Sequence, residues 1–93
     1  MRVYTFTAPA GKNRNSLEDR LSRQFGGFTS WPGIGSWKNP EGFVEDEGVF
    51  VYSVAVHETR VGELRDCILF ELKALGEQAT YIQESGTASI YTL

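Results

Sequence analysis

Apolar residues recur along this chain in two rhythms, and the changes of rhythm mark its elements. In residues 2–7 Tyr4 and Phe6 fall on one side and Val3, Thr5 and Thr7 on the other, the alternation of a strand. Ala8-Pro9-Ala10-Gly11 ends that strand, because Pro and Gly interrupt regular structure, and residues 12–15 form a polar loop. Leu17, Leu21 and Phe25 then recur every fourth position, the apolar stripe of a short helix. Ser16 is placed to cap its N-terminus, with Asp19 three residues on as a weaker capping-box acid. Gly26-Gly27 stops it, the first Gly suiting a left-handed cap. Residues 28–38 predict a second strand in which Pro32, Gly33 and Gly35 imply a bulge or bend. Asn39-Pro40-Glu41-Gly42 matches a type I turn and returns the chain into a long third strand, residues 43–56. Thr59 is placed to cap a second helix over residues 60–76. Its stripe is Val61, Leu64, Ile68, Leu72 and Leu75, with Cys67 and Ala74 beside it, and Gly76 stops it. Residues 79–84 read as a fourth strand, which Ser85-Gly86 turns into a short terminal strand over residues 88–93.

Strand, helix, strand, strand, helix, strand is the split βαβ order of a ferredoxin-like α+β domain, and the whole chain, residues 1–93, makes one such unit. Right-handed crossovers put both helices on one face of an antiparallel sheet. In the third strand Phe50, Tyr52, Val54 and Val56 share one face, and Val49, Val51, Ser53 and Ala55 share the other. Both faces are largely apolar, whereas a single-layer antiparallel sheet normally leaves one face to water. No remaining segment is long enough to cover the second face, which predicts a partner subunit packed against it. Leu69 and Phe70, off the stripe of the second helix, widen the apolar surface in the same sense.

Size and charge narrow the classes further. At 93 residues the core is thin, with about 60–65% of the unfolded surface buried, and domains of this size often gain stability by oligomerising. A net charge of −3 argues against general nucleic-acid binding, although five of the nine basic residues (Arg2, Lys12, Arg14, Arg20 and Arg23) precede Gln24 and leave room for an anion-binding corner. A single cysteine, Cys67, forbids an internal disulfide and fits a reducing compartment. No run approaches membrane-spanning length and the N-terminus is too polar for a signal peptide, so a soluble cytoplasmic protein without a membrane partner is expected.

The unusual chemistry lies in residues 25–52, which hold both tryptophans and six of the ten glycines. Gly33-Ile34-Gly35-Ser36 resembles a phosphate loop only superficially, since strand and turn follow it rather than a helix N-terminus. Two readings stay open: the glycines bend the strand, or they let a flat ligand approach the backbone and stack on Trp31 or Trp37. The run Glu45, Asp46, Glu47 reads first as a solvated face. The alternation nevertheless puts Glu45 and Glu47 with Val49 and Val51 on the face expected between subunits, where a carboxylate near aromatic rings can hold a cation. Gln83 and Glu84, late in the fourth strand, are expected to approach the same region from an edge. His57 has no second His, Cys pair or acid at ligand spacing, so it reads as an exposed loop histidine and no metal or cofactor is expected. Cys67 reads as a small buried hydrophobe.

In layout and spacing the chain resembles the small phage-encoded S-adenosylmethionine lyases, formerly called hydrolases. The residues that carry the likeness are a V-Y-T-F-T first strand, then Gly27 through Gly35-Ser36-Trp37, then Asp46-Glu47 opening a V-x-V strand from Val49 to Val51. A second helix and a polar-capped strand over residues 81–85 complete it. The resemblance implies a homotrimeric ferredoxin-like protein, with a nucleoside-type small molecule bound between subunits. It implies Glu47 as the catalytic acid, Trp37 where the family typically has Tyr, and Glu84 as a fourth-strand contact; beside these, Thr29, Ser30 and Gln83 are expected as substrate-binding residues. The first helix is shorter than the family's. The implied reaction needs no cofactor, nucleophile or strong base, because the substrate's own carboxylate displaces its sulfonium. Two other classes fit the same sequence: a non-catalytic oligomeric module for a nucleotide-like ligand, and a phage or mobile-element inhibitor that binds a protein through its acids and exposed Trp.

Overall fold

Tyr4 and Phe6 point from one face of β1 (Arg2–Pro9) into the core, as the alternation predicts; the strand runs two residues past its expected end, and Ala8 joins the same buried row. They meet Leu17, Leu21 and Phe25 of α1 (Asn15–Phe25), Tyr52, Val54 and Val56 of β3 (Val44–Val56), and Leu64, Cys67, Ile68 and Leu72 of α2 (Val61–Ala74). Ile82 of β4 (Ala79–Glu84) closes that cluster. The edges are β2 (Thr29–Lys38) and β5 (Thr87–Thr92). This computed structural model describes residues 1–84 and 87–93; the turn expected at Ser85-Gly86 lies outside the described residues. Within them the sheet order is β2-β3-β1-β4-β5 and every pairing is antiparallel, a ferredoxin-like arrangement with one added edge strand. Both helices cover the same face, and Tyr52 stacks on Phe6 at 5.3 Å between ring centroids within it.

Several local expectations hold for the reasons given. Gly26 ends α1 at φ 86°, a left-handed backbone that a Cβ disfavours. At the β2–β3 turn the Gly42 N–H donates to the Asn39 carbonyl at 2.9 Å, and the Asn39 side chain accepts from the Phe43 N–H at 2.9 Å. Gly42 sits at φ 91° there.

Three expectations are corrected. Ser16 does not cap α1: it lies inside the helix, and its hydroxyl donates to Glu71 of α2 at 2.6 Å. The preceding loop holds the N-terminus instead, the Asn13 side chain accepting from the Asn15 N–H at 2.9 Å. Thr59 likewise lies within a 3-10 turn, Glu58–Arg60, whose cap is His57; the imidazole Nδ1 accepts from the Thr59 N–H at 3.2 Å. Finally, β2 carries no bulge. It pairs with β3 in one unbroken register from Thr29↔Ser53 to Lys38↔Val44, with Gly33 and Gly35 in extended backbone. As an edge strand it tolerates Pro32 without a break.

Candidate functional site

The face of the sheet away from the helices is uncovered, and register determines what it displays. Residues directly opposite one another share a face. Trp31, Gly33, Gly35 and Trp37 of β2 therefore stand beside Val51, Val49, Glu47 and Glu45 of β3. The two glycines make a flat shelf between two indoles. A Cβ at Gly33 would touch the Val51 and Val49 methyls at 3.5 and 3.7 Å, so valine side chains wall the shelf on one side. At Gly35 a Cβ would lie 3.8 Å from Trp37 Cζ3, which puts the indole beside Gly35 and hence toward Glu47, the residue paired with Gly35. Both indoles remain 44% exposed, open to a ligand or partner.

Beyond the Pro9↔Val49 pair, β3 has no β1 neighbour, and residues 34–48 form a two-stranded arm. Both its faces lack cover: Ile34 is 76% exposed on the helix side, and Phe43 and Val44 near the tip are each 70% exposed. Glu47 and Trp37 lie on this arm. Glu77, in the loop before β4, carries a shifted carboxyl. Partial burial, and then the charge of Glu47, push the Glu77 carboxyl above its ordinary value, while Lys12 pulls it down.

The remaining residues expected at the site separate into two groups. Thr29 and Gln83 fall on the open face in one row with Ser53 and Thr5, through the pairs Thr29↔Ser53, Thr5↔Ser53 and Thr5↔Gln83. Thr5 and Ser53 were placed on this face by alternation, but only the strand register lines them up with the other two. A depression of about 480 Å³ adjoins the row, lined by Val3, Phe25, Phe28, Thr29, Ser53 and Ala55. Ser30, paired with Tyr52, and Glu84, paired with Tyr4, turn to the opposite, helix-bearing face. The Glu84 carboxylate is held by the Arg2 guanidinium and by the Tyr4 hydroxyl at 2.6 Å. These two donors, Tyr4 foremost, hold its carboxyl below the usual range, while burial and this contact raise the Tyr4 phenol to about 12. Glu84 and Tyr4 line a separate pocket of about 110 Å³ with Arg65, Ser89 and Tyr91. The expected convergence of Gln83 and Glu84 on Glu47 is therefore absent: the two side chains point to opposite faces, and the row lies six positions from Glu47 along β3.

Chemically the open face offers carboxylates, hydroxyls, one amide and aromatic surface. Among the described residues no group of three or more His, Cys, Asp or Glu is gathered as metal ligands. The Cys67 thiol is buried on the core side, where burial pushes it up and leaves it a weak nucleophile. No helix among the described residues is long and apolar enough to cross a membrane.

These features define an α+β ferredoxin-like chain with an open, aromatic and acidic sheet face. No family model matches the sequence, and no curated protein sequence matches it. A solved structure does match: a phage SAM lyase in its apo state, at 10% identity and a TM-score of 0.64, covering 99% of this chain and 87% of that one. At that identity the likeness is one of fold, extending over nearly the whole chain.

Proposed function

We propose that this protein is a lyase acting on S-adenosylmethionine or an adenylated derivative of it. The observation that carries the reading is the shelf of β2: a flat glycine floor, an indole at each end and Glu47 alongside, on a fold shared with a phage SAM lyase. A purine needs a flat apolar floor and aromatic edges, and a sulfonium needs a carboxylate within range. Glu47 and Trp37 supply the latter pair; the cross-strand diagonal between them is short enough for long side chains to meet.

In the proposed reaction a carboxylate oxygen of the substrate attacks its own Cγ. The new C–O bond closes a five-membered lactone, the Cγ–S bond breaks, and its electron pair goes to sulfur. The products are neutral methylthioadenosine and homoserine lactone, with no proton to place. The sulfonium is already a good leaving group, so the protein contributes by folding the substrate until oxygen and Cγ are in line. Glu47 holds the cationic end without serving as nucleophile, and Trp37 fixes the ring system.

Incubation with S-adenosylmethionine followed by chromatography tests this. The expected result is methylthioadenosine and homoserine lactone from the wild type, with the rate lowered about 100-fold or more by Glu47→Gln, the scale of losing one electrostatic contact to the reacting charge. Intact substrate with measurable binding would instead identify a non-catalytic ligand-binding module.

A further inference from the structure

On the helix-bearing side of the sheet, away from the shelf, α2 and the strands β4 and β5 wall the pocket of about 110 Å³. Register determines its make-up. The pairs Tyr4↔Glu84, Ile82↔Ser89 and Thr80↔Tyr91 put Glu84, Ser89 and Tyr91 on the face of the buried Tyr4 and Ile82. The sheet wall carries a negative charge. Glu84 is ionised at neutral pH, because the Tyr4 hydroxyl and then Arg2 hold its carboxyl below the usual range. The helix wall carries a positive one, Arg65. Among the described residues the two do not pair: Glu84 bonds Arg2, and the acid nearest Arg65 is its chain neighbour Asp66 at 4.0 Å. Nor does any hydrogen bond among these residues involve the side chains of Arg65, Ser89 or Tyr91. The Arg65 guanidinium folds back on the first turn of α2, where a Cβ on Gly62 would lie 3.5 Å from Nη2. That sets a cation at the positive end of the helix dipole, an unfavourable place that a bound anion relieves.

We propose that this pocket binds a small zwitterion, an α-amino acid with a short side chain, independently of the shelf. Its carboxylate takes the Arg65 fork and accepts from the Ser89 and Tyr91 hydroxyls, the donors that have no partner. Its ammonium turns to Glu84, whose oxygens each accept one bond, from Arg2 and from Tyr4, and each keep a second lone pair. A bare carboxylate would be repelled by Glu84, and a bare amine by Arg65. A molecule with both signs matches both walls. Val61 and Ile82 supply apolar surface for a short side chain. The volume sets the size: it lies well below the roughly 300 Å³ at which drug-sized pockets begin, so a nucleoside is excluded. The sheet stands between this pocket and Glu47 with both indoles, so one molecule does not occupy both sites.

Titration of ¹⁵N-labelled protein with L-alanine tests the site, with acetate and ethylamine as its two halves and no lyase substrate present. Amide signals of residues 61–65, 82–84 and 89–91 should move saturably with a Kd of about 1 mM, within what so small a ligand can gain. Each half should bind about tenfold more weakly or worse. Arg65→Gln and Glu84→Gln should each weaken L-alanine about tenfold or more, the scale of one charge-assisted contact, while Arg23→Gln on α1 should change nothing. The Arg65 side chain is 43% exposed, so its replacement spares the core. Ser89→Ala/Tyr91→Phe removes only hydroxyls and should weaken binding in the same direction. Absence of saturable movement at these amides by about 10 mM, or binding unaltered in Arg65→Gln, overturns the proposal. Acetate binding as tightly as L-alanine overturns the zwitterion in favour of a plain carboxylate. Movement of the Trp31 and Trp37 indole signals in place of the pocket amides puts the ligand on the shelf and overturns the second site.

Discussion

Tyr52 illustrates how much of this small core depends on single polar contacts. Its ring stacks on Phe6, and its hydroxyl donates to Glu18 at 2.5 Å while accepting from Arg14 at 2.7 Å. Arg14 in turn lies 4.0 Å over the Phe50 ring. Burial, and then the bond to Glu18, raise the phenol to about 12, so it stays neutral at any physiological pH. Tyr52→Phe keeps the stacking and removes both hydrogen bonds. Urea unfolding should show a loss of about 1–3 kcal/mol, the cost of leaving partly buried charged groups short of a partner. Glu84 gives the corresponding pH prediction. Its carboxyl is depressed in the folded state, so its contribution to stability is present above the ordinary value of 4.5 and is lost as pH falls through the lower folded value. Glu84→Gln should flatten the acid limb of a pH–melting curve below pH 4.5; if the proposed lyase activity is found, this variant should keep it, because the residue faces away from the shelf.

At the scale of elements, hydrophobic periodicity and the glycine stops are good guides, and the residues expected to cap the helix N-termini are a poor one. The stripe Leu17, Leu21, Phe25 and the alternation of Tyr4 and Phe6 identify their buried faces because burial dominates where a helix or strand sits. Ser16 misled because its hydroxyl has a stronger option than the helix N-terminus: the nearly buried Glu71 carboxylate of a helix distant in sequence. Glycine misled in β2 for a related reason. It permits a bend without requiring one, and the long pairing with β3 keeps the strand regular. Gly33→Ala and Gly35→Ala should consequently fold, since neither has a positive φ and each new Cβ meets only ordinary contacts. Melting should show stability within about 1 kcal/mol of wild type. If the shelf receives a flat ligand, binding or turnover in these variants should fall at least tenfold while the fold persists. An unaltered turnover would remove the shelf from the site.

At the scale of the whole molecule, the unbalanced feature is a sheet clothed on one side only. Val3, Trp31, Trp37, Tyr81 and Ile90 stay more than a third exposed on the open face, and the arm adds Ile34, Phe43 and Val44. That much apolar surface on so small a chain predicts self-association. Light scattering should give a mass two or three times that of the chain, and deletion of residues 34–48 with a short linker should return a monomer. A wild-type monomer at micromolar concentration would rule out both the assembly and any site built across it.

Sequence by itself determined the element order, the two apolar stripes of the helices, and the presence of a second greasy sheet face. These follow from local periodicity, and burial reads periodicity directly. Only the tertiary structure decided that Thr5, Thr29, Ser53 and Gln83 stand in one row, that Glu84 turns to Arg2 and Tyr4, and that Glu47 stands well away from that row. The physical reason is register. A shift of one residue between strands reverses the face of every side chain, and register is set jointly by turns and by packing between segments far apart in the chain.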